Sequence, residues 1–472
     1  MELNHKFLES ALAQEGVYQK NHTIGSWIAR QRERVEVMIE TVPLAELDQW
    51  SYDKISGQVV HKTGAFFSIP GIEVETTWNG GQRWTQPIIK QAEVGYLGVL
   101  VKEFDGVPHF LMQAKIEPGN INKVQLSPTL QATRSNFMRA HEGKAPIFLD
   151  LFRDASPNDI LIDQLQSEQG ARFLKKRNRN IVVQLRDHIE IPEHFTWLTL
   201  GQIKALMIQD NVVNMDSRTV ISGIPFGTFR RASSDVISFL ASHEGRETRS
   251  KHILRSLLCP DGAQNSEYQI RSFLTNLKAN HDLTVREIPL KDLEEWNVTD
   301  ESIERDDKRF FKVIGTKVQI ENREVSSWMQ PMVQPSQEGL CAFVGKIING
   351  VLHFAVQAKL ECGNFDIVEL APTVQCLTGN YRHANQKPPF LDYVINASSE
   401  QIWIDSMQSE EGGRFYREQN RNLVVIGDEC LPVELPPNFI WMTLNQLQTF
   451  IQFNNIFNIQ ARSLFAALTF GE

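Results

Sequence analysis

The sequence predicts an α+β protein: one mixed-sheet domain written twice in tandem, with helical segments connecting the copies. Three observations carry that expectation. The phrase "QAKIEPGN" at 113–120 returns as "QAKLECGN" at 357–364, an offset of 244 in a chain of 472 residues. Asp-Gly and Asn-Gly pairs sit between alternating apolar and polar residues, the strongest short signal for a β-hairpin. Ahead of each copy, apolar residues recur at three- and four-residue intervals, which is the helical period.

The repeat runs far beyond that phrase. "VPLAELDQW" (42–50) pairs with "IPLKDLEEW" (288–296), "RWTQP" (83–87) with "SWMQP" (327–331), and "QLSPTLQA" (125–132) with "ELAPTVQC" (369–376). "IDQLQSEQGARFLKKRNRNIVV" (162–183) pairs with "IDSMQSEEGGRFYREQNRNLVV" (404–425), and "WLTLGQI" (197–203) with "WMTLNQL" (441–447). This is duplication of a whole domain, not a short solenoid. The division is expected at 1–225 and 226–472, each half being one repeat preceded by helices.

Taken in order, "FLESALAQ" and "SWIARQRERVEV" read as helix, as do "SDVISFLASHEG" and "NSEYQIRSFLTNLKANHD" before the second copy. "EVGYLGVLVKEFDGVPHFLMQAKIE" reads as two strands turning at Asp105-Gly106, and the copy turns at Asn349-Gly350. Past the turn, Phe110, Met112, Ala114 and Ile116 share one face, while Leu111, Gln113, Lys115 and Glu117 share the other. Gln, Lys and Glu thus form a polar row, repeated as Gln357, Lys359 and Glu361. "SPTLQATRSNF" reads as a helix with Ser127 as its N-cap and Pro128 at the first helical position. "IDQLQSEQGARFLKKRN" reads as a second helix, with Glu168 and Arg172 as an i,i+4 pair, and "NIVVQL" as a strand.

The bulk composition narrows the function classes. The chain exceeds what one hydrophobic core usually serves. No apolar run reaches the length of a membrane-spanning helix. "MELNHKFLES" lacks the basic start and apolar core of a secretory signal, so the expected location is the cytoplasm. A net charge of −9 argues against nucleic acid as a partner. Cys259, Cys341, Cys362, Cys376 and Cys430 show no CxxC or Cys/His ligand spacing and read as reduced structural thiols.

"WNGGQRWTQP", "QAKIEPGNINKVQLSPTLQATRSN" and "QSEQGARFLKKRNRN" closely resemble the NDP-hexose 2,3-dehydratases of deoxysugar biosynthesis, over essentially the whole chain. The resemblance implies two tandem domains of Nudix-hydrolase type, a homodimer, and a nucleotide-sugar pocket in each domain, one catalytic and one a remnant. It implies a dTDP-4-keto-6-deoxyhexose as substrate, a 3,4-diketo-2,6-dideoxy product, and a 3-ketoreductase acting next. The sequence departs from working Nudix hydrolases. Gly119 is followed six residues later by Gln125, and "ATRSNFMRA" has no carboxylates; Gly363 is followed by Glu369, but "LTGNYRHAN" supplies none either. Magnesium is held by carboxylates and phosphate oxygens, so no metal is expected and pyrophosphate hydrolysis is disfavoured.

The implied reaction is internally redox-neutral, and no GxGxxG dinucleotide motif is present, so no cofactor is expected. It needs a base for the carbon-3 proton, an acid for the carbon-2 hydroxyl, and a donor for the enolate oxygen. Lys115 and Glu117 are the candidates, in either assignment of roles; the same two residues also read as a plain same-face ion pair. For substrate binding, Trp84 reads as a stacking or a core tryptophan. Arg83, Arg134, Arg172 and Arg179 suit pyrophosphate. Gln86, Gln113, Asn120, Gln125, Ser127, Thr129, Gln131, Asn136 and Asn178 offer hydrogen bonds to sugar or base, or cap loops. The second pocket is expected from Trp328, Gln357, Lys359, Glu361, Asn364, Thr373, Gln375, Arg414, Asn420 and Arg421. Arg83, Gln125, Ser127 and Arg134 become Ser327, Glu369, Ala371 and Thr378 in the copy, which suggests turnover in the first pocket. A non-catalytic nucleotide-sugar sensor is the alternative.

Overall fold

The computed structural model describes residues 2–64, 66–133, 146–227, 248–321, 325–381, 384 and 386–469. Each half is built on a seven-stranded mixed sheet. In the first, Ile160–Ser167, Arg177–Gln184, Gly95–Phe104, Val107–Ile116 and Phe195–Leu198 lie side by side in that order. Only the Arg177–Gln184 and Gly95–Phe104 pairing in this sheet is parallel. The second half repeats the arrangement around Gly339–Ile348 and Val351–Lys359. Both hairpins turn as expected, with positive φ at Asp105 (50°) and Gly106 (82°), and at Asn349 (51°) and Gly350 (76°). This is what a two-residue turn matching the strand twist requires.

Two predicted helices are strands instead. Residues 127–133 do not form a helix: Val124–Ser127 pairs with Gln113–Ile116, and Leu130–Ala132 pairs with Tyr96–Gly98. The cause is the hairpin itself. Its strands bond to each other only from Val101 and Phe110 to the turn, then splay, and the 124–132 segment bridges the gap. Ser127 therefore caps nothing, and Pro128, which has no N–H, sits at the crossover between two strands. Thr129 pins the splay point: its hydroxyl donates to Leu111 O and accepts from Leu100 N at 3.0 Å.

Ile160–Ser167 is the other correction. Ile162, Gln164 and Gln166 all point inward, and the Gln166 amide donates to Ile451 O at 3.0 Å. These glutamines are buried and bonded across the repeats. Glu168 and Arg172 lie in the loop after this strand, so they are not a helix pair. The helices Glu2–Leu12, Asn21–Glu33 and Glu267–Ala279 overlap the stretches where the periodicity puts them, while Thr248–Leu258, the counterpart of Glu2–Leu12, follows the segment read as helix. That segment, 234–245, lies outside the described residues.

The repeats exchange parts reciprocally. Val37–Val42 joins the second half's accessory sheet beside Phe311–Ile320, while Leu283–Ile288 joins the first half's beside Gly71–Thr76. Loops cross in the same way. Gly119 N donates to Gly412 O and Gly363 N to Gly170 O, each at 2.7 Å. A Cβ on Gly119 would lie 1.7 Å from Phe415 O, and one on Gly363 1.8 Å from Phe173 O. The glycine in each copy of the opening phrase is thus the point where the other repeat's backbone comes closest. The largest core cluster draws on both halves, from Phe7 and Phe110 to Phe343 and Phe465. Among the described residues, no helix is long and apolar enough to cross a membrane.

Candidate active site

The splay of the first hairpin opens onto a cavity of about 1360 Å³. Its floor is the predicted polar row. Gln131 Nε2 donates to Glu117 Oε1 at 2.8 Å, Asn214 Nδ2 donates to Gln131 Oε1 at 3.2 Å, and Lys115 Nζ reaches Gln131 O at 3.4 Å. Lys115 Nζ stands 3.9 Å from Glu117 Oε1, and Glu117 is 5% exposed. The amide donated by Gln131 fixes the orientation of Glu117. Gln113 and Thr129 also line the floor.

The walls come from both repeats. The first supplies Trp50, Phe66 and Phe67, with the Trp50 and Phe67 ring centroids 4.6 Å apart. The second supplies Trp328, whose indole donates to Gln330 Oε1 at 2.8 Å, and Arg414, whose guanidinium lies 4.3 Å from the Phe67 ring centroid. Arg414 also donates to Gln91 Oε1 at 3.2 Å.

Three further carboxyls face this space: Glu168, Asp216 and Glu411. Glu168 accepts from Asn178 Nδ2 at 2.7 Å, and Glu411 Oε1 accepts from Gly413 N at 2.8 Å. Burial first, then the charges of Glu117 and Glu168, pushes Glu411 up to about 7. Burial, reinforced by Glu168, Glu411 and Glu117, raises Asp216 well above the usual carboxylate range. Burial also lowers the Lys176 ammonium and the His194 imidazolium, both at the cavity wall. The cavity thus holds an oriented carboxylate, an ammonium beside it, and carboxyls whose protonated form burial favours: the groups needed to move protons in opposite directions.

Of the predicted first-pocket residues, Gln113, Lys115, Glu117, Thr129, Gln131 and Asn178 come together around this cavity. Others do not. Arg83 is engaged at the surface by Glu73 and Glu294, at 2.5 and 3.0 Å. Trp84 packs against a cluster that includes Ile72, Val74 and Cys362 of the other repeat, and donates to Gln86, which in turn donates to Ala171 O at 3.0 Å. Asn120 bonds to Lys123 O, Gln125 to Ser409 Oγ, and Ser127 to Gln113, so these hold loops and strands. Arg172 lies 4.1 Å over the Phe311 ring of the second repeat, and Arg179 pairs with Asp163 at 2.6 Å. Arg134 and Asn136 lie outside the described residues.

The exchange of parts explains these displacements. Trp328 and Arg414, expected in the second pocket, line the first: Val37–Val42 crosses to the sheet that carries Trp328, and the loop carrying Arg414 crosses onto the first repeat. In the second repeat, Lys359, Glu361 and Gln375 repeat the floor: Gln375 donates to Glu361 at 2.9 Å and Lys359 reaches Gln375 O at 3.3 Å. Asn364 packs against Gly170, Thr373 pins its own hairpin beneath Gln357, Asn420 donates to Glu410, and Arg421 pairs with Asp405 at 2.6 Å. Sequence reasoning missed Asp216 and Glu411. The signal was available as paired strings: "NMDSRT" against "NIQARS", and "SEQG" against "SEEG".

Fold and cavity together define a duplicated α+β protein with an acid–base pocket built from both copies. The chain belongs to the NDP-hexose 2,3-dehydratase family, whose model matches residues 21–224 and again 267–468. It is 42% identical over 466 residues to the dTDP-4-dehydro-6-deoxy-α-D-glucopyranose 2,3-dehydratase of Saccharopolyspora spinosa, covering 98% of this chain and 94% of that one. Dehydratases of the same name from Amycolatopsis orientalis (41% identical; 97% of this chain, 92% of that protein) and Streptomyces violaceoruber (42%; 94% and 96%) match similarly.

Proposed function

We propose that the protein removes water across carbons 2 and 3 of a dTDP-4-keto-6-deoxyhexose, giving the 3,4-diketo-2,6-dideoxy sugar. The observation that carries this reading is the match to named 2,3-dehydratases along nearly the full chain. In the first cavity, Glu117 takes the carbon-3 proton, which the neighbouring carbonyl has acidified. Lys115, beside it, donates to the enolate oxygen that develops at carbon 4. Arg414 faces the pyrophosphate, and Trp328 or the Trp50–Phe67 wall offers an aromatic face to thymine.

The same reading takes the halves, 1–225 and 226–472, as descendants of one Nudix-type domain that lost its metal-holding acids. It takes the second pocket as a remnant, the enzyme as a cytoplasmic homodimer, and a 3-ketoreductase as consumer of the diketo product. The test is incubation with dTDP-4-keto-6-deoxyglucose, trapping any vicinal diketone with an aromatic diamine and reading the adduct by mass. The adduct is expected. Binding without adduct would make the protein a sensor, and release of thymidine monophosphate with magnesium would make it a hydrolase.

A further inference from the structure

Lys115, Glu117, Gln131 and Asn214 have counterparts in Lys359, Glu361, Gln375 and Asn458 that hold the same hydrogen bonds. They cannot be what separates a working cavity from an idle one. Two carboxyls can. Position 216 is Asp where the second repeat has Gln460, and position 411 is Glu where the first repeat has Gln169. Because the loop carrying Gly412 crosses onto Gly119, Glu411 joins Asp216 in the first cavity; the crossing of Gly170 onto Gly363 carries Gln169 to the second repeat. Both acids therefore gather at one site, and both amides go to the other half.

Asp216 is 3% exposed, lines the cavity, and its Oδ1 has no hydrogen-bond partner among the described residues. Buried carboxyl oxygens are ordinarily bonded, and a carboxyl with one left unpartnered, on a residue that lines a cavity, is suited to a ligand. We propose that Asp216 is the general acid for the departing carbon-2 hydroxyl, and that Glu411, supplied by the other repeat, holds it in that role. The charged groups that act on Asp216 are Glu168, Glu411, Glu117 and Lys115; the three acids favour its protonated form and the ammonium opposes it.

This rests on the dehydration proposed above, and the protons balance within the site. Glu117 takes the proton from carbon 3, and that bond's electron pair moves onto the carbon-4 carbonyl as an enolate, then returns to become the carbon-2–carbon-3 double bond. The carbon-2–oxygen bond breaks with its pair, and the Asp216 proton converts the leaving hydroxide to water. In the tautomerisation, the Asp216 carboxylate takes the proton from the oxygen on carbon 3 while carbon 2 receives one from Glu117. Both groups return to their starting states without a co-reactant.

The test uses full-length Asp216→Asn and Glu411→Gln with dTDP-4-keto-6-deoxyglucose in D₂O. Asparagine matches the shape of the acid form but cannot give up its proton in this way. Turnover of Asp216→Asn should fall by about 10²–10⁴-fold with KM barely changed, while recovered substrate carries deuterium at carbon 3 because the base still works. Glu411→Gln should move the alkaline limb of kcat to lower pH, since removing that negative charge eases Asp216 ionisation. Near-normal turnover in Asp216→Asn, or loss of deuterium exchange together with turnover, overturns the assignment. Should Asp216→Asn not fold, an unmoved alkaline limb in Glu411→Gln overturns it. Wild-type protein that makes no diketone would instead defeat the dehydration reading itself.

Discussion

Glu117 and Glu361 are twins in sequence and in hydrogen bonding, but their surroundings differ by two acids. Changing Glu117 to Gln is expected to lower kcat by about 10²–10⁴-fold with the melting temperature preserved, whereas Glu361→Gln leaves kcat unchanged; steady-state kinetics on both variants checks this. Glu369 offers a separate test. It is 1% exposed, accepts from Ser167 Oγ at 2.7 Å, and burial pushes it up to about 8. Between its unfolded value near 4.5 and its folded value, the unfolded chain releases this proton and the native protein keeps it. Stability therefore falls as pH rises across that window, by about 1.4 kcal/mol per pH unit from this group. Gln125 occupies the same position in the first repeat and donates to Ser409 Oγ at 2.7 Å. Glu369→Gln should leave Tm unchanged near about pH 4 and raise it near about pH 9, as thermal melts would show. The polar row was legible from its period of two. Asp216 was not, because one aspartate opening a helix reads as an ordinary first-turn acid.

At the scale of elements, strand exchange decides which tryptophan matters. Trp328→Ala is expected to weaken nucleotide-sugar binding about tenfold, as loss of a stacking face worth about 1–3 kcal/mol would, while Trp84→Ala leaves it unchanged. Titration calorimetry with dTDP distinguishes the two. Gly119→Ala forces a methyl against Phe415 O and should lower Tm by several degrees, for the obstacle is backbone and not a movable side chain. The hairpins and the paired helices could be read locally, since turn chemistry and the 3.6 period are local signals. Ile160–Ser167 could not. Its glutamines find their partners on Gln452 and Ile451, almost three hundred residues away, and no local pattern encodes that.

For the whole molecule, duplication was evident in the repeated strings, but the manner in which the copies clasp each other was not. A string comparison says that two units are alike; it does not say that each finishes the other's sheet. With a common core and two exchanged strands, unfolding should appear in calorimetry as one cooperative transition, not two. Chains 1–225 and 226–472 produced separately should show no turnover, and producing them together should restore it. The exchange also bears on how such a gene ages. Deleting either copy would unroof its sister, so drift is free to erase an acid from each copy while purifying selection still guards both backbones. A spare that has become a buttress is never discarded.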